Sequence, residues 1–200
     1  MNRRDFAIVT IIGLAIGLLA QLVLTNVVQE ITPALRAGVV FGCLVFAPSA
    51  LFVAYLLGKL VPALYQFAKF GAVGTLNTLI SFGLLNLQSL IFRVTSGALI
   101  PAFATVAFVG ATTNSFFWNK FWTFGANERP KAGEAFKFYF VSFIGWGLNV
   151  GAVSLMVNFV PHPGITPEIW LNIGGLAGVA ASFLWNFFGY KFWVFRGSNR

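Results

Sequence analysis

The sequence predicts an all-α membrane protein with six transmembrane helices. The last four form a duplicated helical hairpin in a parallel, same-topology repeat, and both termini are cytoplasmic. Three observations carry this. Of 200 residues, 58% are hydrophobic and only 9% are charged, against about 25% charged in an ordinary soluble domain. The charges punctuate six long neutral runs, and about 20 apolar residues in a helix suffice to cross a hydrocarbon core. The phrase NSFFWNKFWTF at 114–124 also returns as NFFGYKFWVF at 186–195. A greasy soluble α-domain does not fit runs of this length.

The first neutral run holds 24 residues between Asp5 and Glu30 and predicts a helix over 6–28. It follows Asn2-Arg3-Arg4, as a signal peptide would. It is longer than the usual apolar core of about 7–15 residues, however, and no small-x-small site closes it, so it reads as a retained helix. The 22 residues between Arg36 and Lys59 predict a helix over 37–58. This helix contains Pro48, expected to kink it, and Cys43, a lone small apolar residue with no disulfide or metal signal. The next runs are 23 residues after Lys69, 26 after Arg93, 30 after Lys137 and 22 after Glu168. They predict helices over 69–92, 98–119, 138–160 and 169–190. The connection 125–135 is polar around Asn127-Glu128-Arg129-Pro130-Lys131, and the short loop 161–167, PHPGITP, is stiffened by proline. The pairs Gly13/Gly17, Gly38/Gly42, Gly147/Gly151 and Gly174/Gly178 are spaced to let helix backbones approach closely, which leaves self-association open.

A net charge of +8 raises the question of nucleic acid, but the basic residues sit at helix ends rather than in one patch. Membrane orientation accounts for them better. With the N-terminus inside, cytoplasmic segments hold Arg3, Arg4, Lys59, Lys69, Lys120, Arg129, Lys131, Lys137, Lys191, Arg196 and Arg200, and the outer loops hold only Arg36 and Arg93. That asymmetry is the positive-inside pattern. No nucleic-acid partner is expected.

The echoed phrase extends into a longer repeat. Asn77 and Asn149 are 72 residues apart, as are Asn114 and Asn186, while Lys120 and Lys191 are 71 apart. Each unit starts near a Lys-Phe pair (Lys69-Phe70, Lys137-Phe138), crosses out, returns, and closes on Lys-Phe-Trp-x-Phe. Two hairpins that both start and finish inside are related by a pseudo-twofold along the membrane normal. The expected organisation is an additional two-helix unit over 1–62 followed by a four-helix domain over 63–200, with hairpins at 67–124 and 136–196.

The stretch 67–82, FAKFGAVGTLNTLISF, resembles the first helix of the GtrA-like family of small membrane proteins through its Lys-Phe start, Val-Gly and Leu-Asn-Thr. NSFFWNKFWTF is similar to the close of that family's second helix, and NFFGYKFWVF to the close of its fourth. The resemblance covers about 67–196, and residues 1–58 are a departure from the family's four-span core. It implies a role in cell-surface polysaccharide assembly: moving a polyprenyl-phosphate-linked monosaccharide from the cytoplasmic to the outer leaflet of the cell membrane. A separate glycosyltransferase would load the carrier, and no cofactor is implied.

Such a lipid presents an anionic phosphate, sugar hydroxyls and an isoprenoid tail. Lys69, Lys120, Lys137 and Lys191 are expected at cytoplasmic helix ends, where an ammonium is a compact phosphate partner. Trp122 and Trp193 are expected to pack against sugar or prenyl chain. The plainer reading is anchoring, because Lys snorkels and Trp sits at the interface in many membrane proteins. Asn77, Asn114, Asn149 and Asn186 fall roughly 8–18 Å inward along their helices. They form either a polar track for the head group or interhelical hydrogen bonds, and Asn119, beside Lys120, fits both roles.

No Asp or Glu falls within the six predicted spans, with Glu30 and Glu168 near the outer surface. A proton-coupled drug exporter, which needs an intramembrane ionisable group, is therefore disfavoured. His162 is the lone histidine, in an outer loop. No metal-ligand cluster, nucleophile–base pair or phosphate-cradling glycine loop is present in the sequence, so an enzyme is not expected. The alternative to transport is a membrane scaffold that anchors a glycosyltransferase or presents its lipid substrate.

Overall fold

The computed structural model describes residues 1–27, 31–93, 99–126, 128–161, 164 and 167–196. Glu30, Asn127, His162 and Arg200 lie outside the described residues, as do the side chain of Glu168 and the surroundings of Gly174. The chain forms six α-helices: α1 Arg3–Val27, α2 Pro33–Gly58, α3 Pro62–Phe92, α4 Ile100–Trp118, α5 Ala132–Phe159 and α6 Pro167–Gly189. Helices α4 and α6 each run on through a five-residue π-helical turn, Asn119–Thr123 and Tyr190–Val194. No strand occurs among the described residues.

Helix ends follow capping chemistry rather than the charges. Pro33, Pro62 and Pro167 each open a helix, where the missing N–H costs nothing and the fixed φ is already helical. Thr32 caps α2 by accepting from the Leu35 N–H at 3.2 Å, and the Glu134 carboxylate accepts from the Lys131 N–H at 3.2 Å at the start of α5. Helix α3 stops at Arg93, whose φ of 54° is the left-handed conformation that commonly terminates helices. Gly125 (φ 65°) follows the first π-turn, and its lack of a Cβ makes that conformation cheap.

Two expectations change as a result. Lys69 and Lys137 lie about two turns inside α3 and one and a half turns inside α5 rather than at helix ends. Asp5 lies inside α1, so a carboxylate does fall within a span. Neutral runs locate lipid-facing surface, whereas prolines and caps decide where the helix starts.

Four helical stretches among the described residues are long and apolar enough to cross a membrane: Arg3–Leu22, Pro33–Gly58, Pro62–Gln88 and Ala132–Met156. Large apolar side chains such as Ile11, Phe41, Phe46, Phe136 and Phe143 face outward, which water would penalise and lipid does not. The chain is a multi-pass membrane protein.

The chain divides into two compact units, Met1–Gly125 and Ala126–Arg200. In the first, α1 packs on α2 and α3, and α3 packs on α4. Its core joins Val9 and Ile12 of α1, Leu51 of α2, Val73 and Leu76 of α3, and Trp122 of the π-turn. The Gly13/Gly17 pair brings α1 against α2: a Cβ at Gly13 would lie 2.6 Å from the Cys43 carbonyl oxygen, and one at Gly17 would lie 2.8 Å from the Val40 Cα. Among the described residues, nothing lies within 4 Å of such a Cβ at Gly38, Gly42, Gly147 or Gly151. Their spacing therefore does not mark a close helix contact among the described residues. In the second unit, α5 packs on α6 and on its π-turn. Phe138 stacks on Tyr190 at 4.0 Å, and Gly189 admits Val141.

Candidate functional site

Two cation–aromatic clusters stand out, one in each unit, and both are built on a π-turn. A π-turn bonds each N–H five residues back, as the Phe124 N–H to Asn119 O and Phe195 N–H to Tyr190 O bonds do, both at 2.9 Å. The widened turn changes the angular spacing of the side chains it carries, and such turns occur often at functional sites.

In the first unit Asp5 is the centre of the cluster. Its Oδ2 accepts from Lys69 Nζ and from the Tyr65 hydroxyl, each at 2.8 Å, and its Oδ1 accepts from Trp122 Nε1 at 2.8 Å. The Asp5 backbone N–H is itself satisfied by Asn2 Oδ1 at 2.6 Å. Lys69 Nζ also lies 4.6 Å from the Tyr65 ring centroid and 5.4 Å from that of Trp122. The Lys69 and Asp5 side chains retain only 11% and 9% of their exposure. Three donors from two other elements thus converge on one carboxylate, which offsets much of the cost of burying its charge.

In the second unit Lys137 Nζ lies 5.8 Å from the Trp193 ring centroid. Lys191 Nζ lies 5.5 Å from Phe187 and 5.6 Å from Phe192. Both lysines are half-buried and Trp193 is 45% exposed. No described carboxylate pairs with either lysine. Four residues before Lys69 stands Tyr65, and four before Lys137 stands Gly133, beside which there is open space.

The two π-turns share their ring geometry. Phe117 stacks on Phe121 at 6.3 Å and 11°, and Phe188 on Phe192 at 6.1 Å and 5°. Phe116 meets Phe117 edge-on at 5.4 Å and 71°, and Phe187 meets Phe188 at 5.5 Å and 70°. Each central lysine faces the ring that follows it, Lys120 over Phe121 at 5.9 Å and Lys191 over Phe192. They differ in burial, since Lys120 is fully enclosed and Lys191 is not. The preceding positions also differ. Asn119 Nδ2 donates back to Ser115 O and Oγ at 3.0 and 3.1 Å, while Tyr190 bonds Ser142 Oγ at 2.7 Å.

Of the other asparagines, Asn114 Nδ2 donates to Asn77 Oδ1 at 2.7 Å, linking α4 to α3. Asn186 presses against Gly145, where a Cβ would collide with its amide. Asn149 lies half-buried on α5. Asn77 Nδ2, Asn119 Oδ1 and Asn186 Oδ1 are buried polar atoms without an intramolecular partner. Such atoms are costly in an apolar setting and few in native proteins.

Sequence reasoning thus chose residues that do gather in space, Lys69 with Trp122 and Lys137 with Trp193. It missed Asp5 and Tyr65. The available signal was that Asp5 is an acid directly after two arginines at the start of a membrane-spanning helix.

Residues 69–195 match the family model described as GtrA/DPMS, transmembrane domain. The chain is also similar to the uncharacterized membrane protein YngA of Bacillus subtilis (strain 168). The two are 26% identical over 130 residues, covering 65% of this chain and 79% of that protein. No solved structure matches.

Proposed function

Because the chain belongs to the GtrA/DPMS transmembrane-domain family, we propose that it translocates a polyprenyl-phosphate-linked monosaccharide across the cytoplasmic membrane for cell-surface polysaccharide synthesis. The observation that carries this reading is the second cluster. Lys137 and Lys191 lack a carboxylate partner among the described residues; Lys137 lies over the exposed Trp193, and Lys191 precedes that residue by two positions on the π-turn, over Phe187 and Phe192. An ammonium beside an exposed indole suits a phosphate next to a sugar face or an isoprene chain. The buried, unpartnered Oδ1 of Asn186, in the same unit as that cluster, suits a hydroxyl of the head group.

The shared ring geometry of the π-turns supports a duplicated hairpin, at 67–124 and 136–196, preceded by an added unit over 1–62. The positive-inside bias supports cytoplasmic termini and hence a same-topology repeat. Lipid phosphate would be gathered at the inner face, with flux running down the carrier's gradient as an outside acceptor reaction drains it. No covalent step is asked of the protein.

Reconstitution tests this. Purified protein in liposomes should speed transbilayer movement of a sugar-loaded polyprenyl phosphate well above protein-free vesicles. Movement at the protein-free rate, with the protein folded and a glycosyltransferase still recruited, would instead favour a scaffold that presents the lipid.

A further inference from the structure

The two hairpin ends are built from like parts, yet one is filled from within the chain. In each, a lysine on the first helix lies over the tryptophan of the π-turn, Lys69 over Trp122 at 5.4 Å and Lys137 over Trp193 at 5.8 Å. Around Lys69 the Tyr65 hydroxyl and Trp122 N–H converge, so an ammonium and two neutral donors point at a single spot. That donor set suits two oxygens of an anion, and a carboxylate already supplies them. The carboxylate belongs to Asp5 on α1, which precedes the matched residues 69–195. Around Lys137 no described residue plays this part, and Gly133 leaves open the space that Tyr65 takes up in the first cluster.

We propose that Asp5 is a built-in ligand of an anion site formed by Lys69, Tyr65 and Trp122, and that it confines lipid-phosphate binding to the second hairpin, at Lys137, Lys191 and Trp193. The second half of this inference rests on the translocation reading above, and the first half does not. A carboxylate on a neighbouring helix is held in place by the fold, so its local concentration exceeds what a membrane lipid can reach. A lipid phosphate entering the first cluster, whether the sugar-linked diester or a sugar-free monoester, would have to displace it and leave a buried carboxylate unpaired. Asp5 on α1 would thereby leave open only one of the two clusters.

The test counts bound probe by native mass spectrometry of the full chain, using a sugar-free polyprenyl monophosphate. The wild type should bind one molecule, lost on Lys137→Gln/Lys191→Gln. Asp5→Ala should bind a second, which Asp5→Ala/Lys69→Met no longer takes up. In case Asp5→Ala does not fold, the neutral pair Asp5→Asn/Lys69→Met should bind one molecule with affinity within about threefold of wild type. A folded Asp5→Ala that gains no probe overturns the assignment of Asp5. A tenfold loss in Asp5→Asn/Lys69→Met overturns the confinement, because Lys69 would then hold phosphate with Asp5 present. A wild type that binds nothing overturns the reading of the second hairpin, while the gain in Asp5→Ala still decides the first.

Discussion

The Asp5–Lys69 pair makes a quantitative prediction about stability. Both side chains are about nine-tenths buried, so the pair is in the desolvated regime rather than the screened surface one. Removing one partner strands the other charge, at a cost of about 3–5 kcal/mol. Asp5→Ala additionally leaves the Tyr65 hydroxyl and Trp122 N–H without their acceptor, at about 1–3 kcal/mol each. Lys69→Met leaves Asp5 with only those two neutral donors. In Asp5→Asn/Lys69→Met no charge is buried, and the amide can still accept from Trp122. That double variant should therefore lie within about 1 kcal/mol of wild type. With Asp5→Asn as the second single variant, wild type, Asp5→Asn, Lys69→Met and Asp5→Asn/Lys69→Met form a cycle with an expected coupling of at least about 3 kcal/mol. Reversible unfolding in mixed micelles, followed by circular dichroism, measures it. Additive single losses, with coupling under about 0.5 kcal/mol, would refute the claim that this ion pair is a buried, interdependent unit.

Further outcomes follow from packing and topology. Gly17→Leu should destabilise by about 1–3 kcal/mol or more in the same unfolding assay, because it forces α1 off the Val40 backbone, whereas Gly42→Ala should change stability by less than about 0.5 kcal/mol. Phe138→Ala removes a fully buried ring stacked on Tyr190 and should cost about 3–5 kcal/mol. Asn77→Ala should cost only about 0.6–1.7 kcal/mol, since its amide makes one bond, to Asn114, and leaves Nδ2 without a partner. In a Cys43→Ser background, an impermeant maleimide on intact cells should label a cysteine at Arg93 but reach one at Leu60 only after permeabilisation. The opposite pattern would reverse the orientation.

The fold was legible because lipid imposes a simple rule. A backbone crossing hydrocarbon must bond to itself, so each neutral run marked a helix, and the Lys-Phe-Trp-x-Phe phrases marked matching ends. The boundaries were less legible, since Pro62 and the Glu134 cap start α3 and α5 well before their lysines. Lys69 with Trp122 and Lys137 with Trp193 could be chosen from their repeat positions. Asp5 could not, because its partner is separated from it by 64 residues and lies on a helix that the repeat does not pair with α1. Nor could helical spacing tell Gly13/Gly17, which meets α2, from Gly147/Gly151, which meets no described residue; both pairs have the same period.

The most direct test of the central claim is the transbilayer flux of a sugar-loaded polyprenyl phosphate through purified protein in sealed vesicles, with its head group scored by an impermeant oxidant. Translocation by this protein predicts flux proportional to protein, at least tenfold lower in Lys137→Gln/Lys191→Gln and close to wild type in Asp5→Asn/Lys69→Met. Flux indistinguishable from protein-free vesicles, or undiminished in Lys137→Gln/Lys191→Gln, would contradict it.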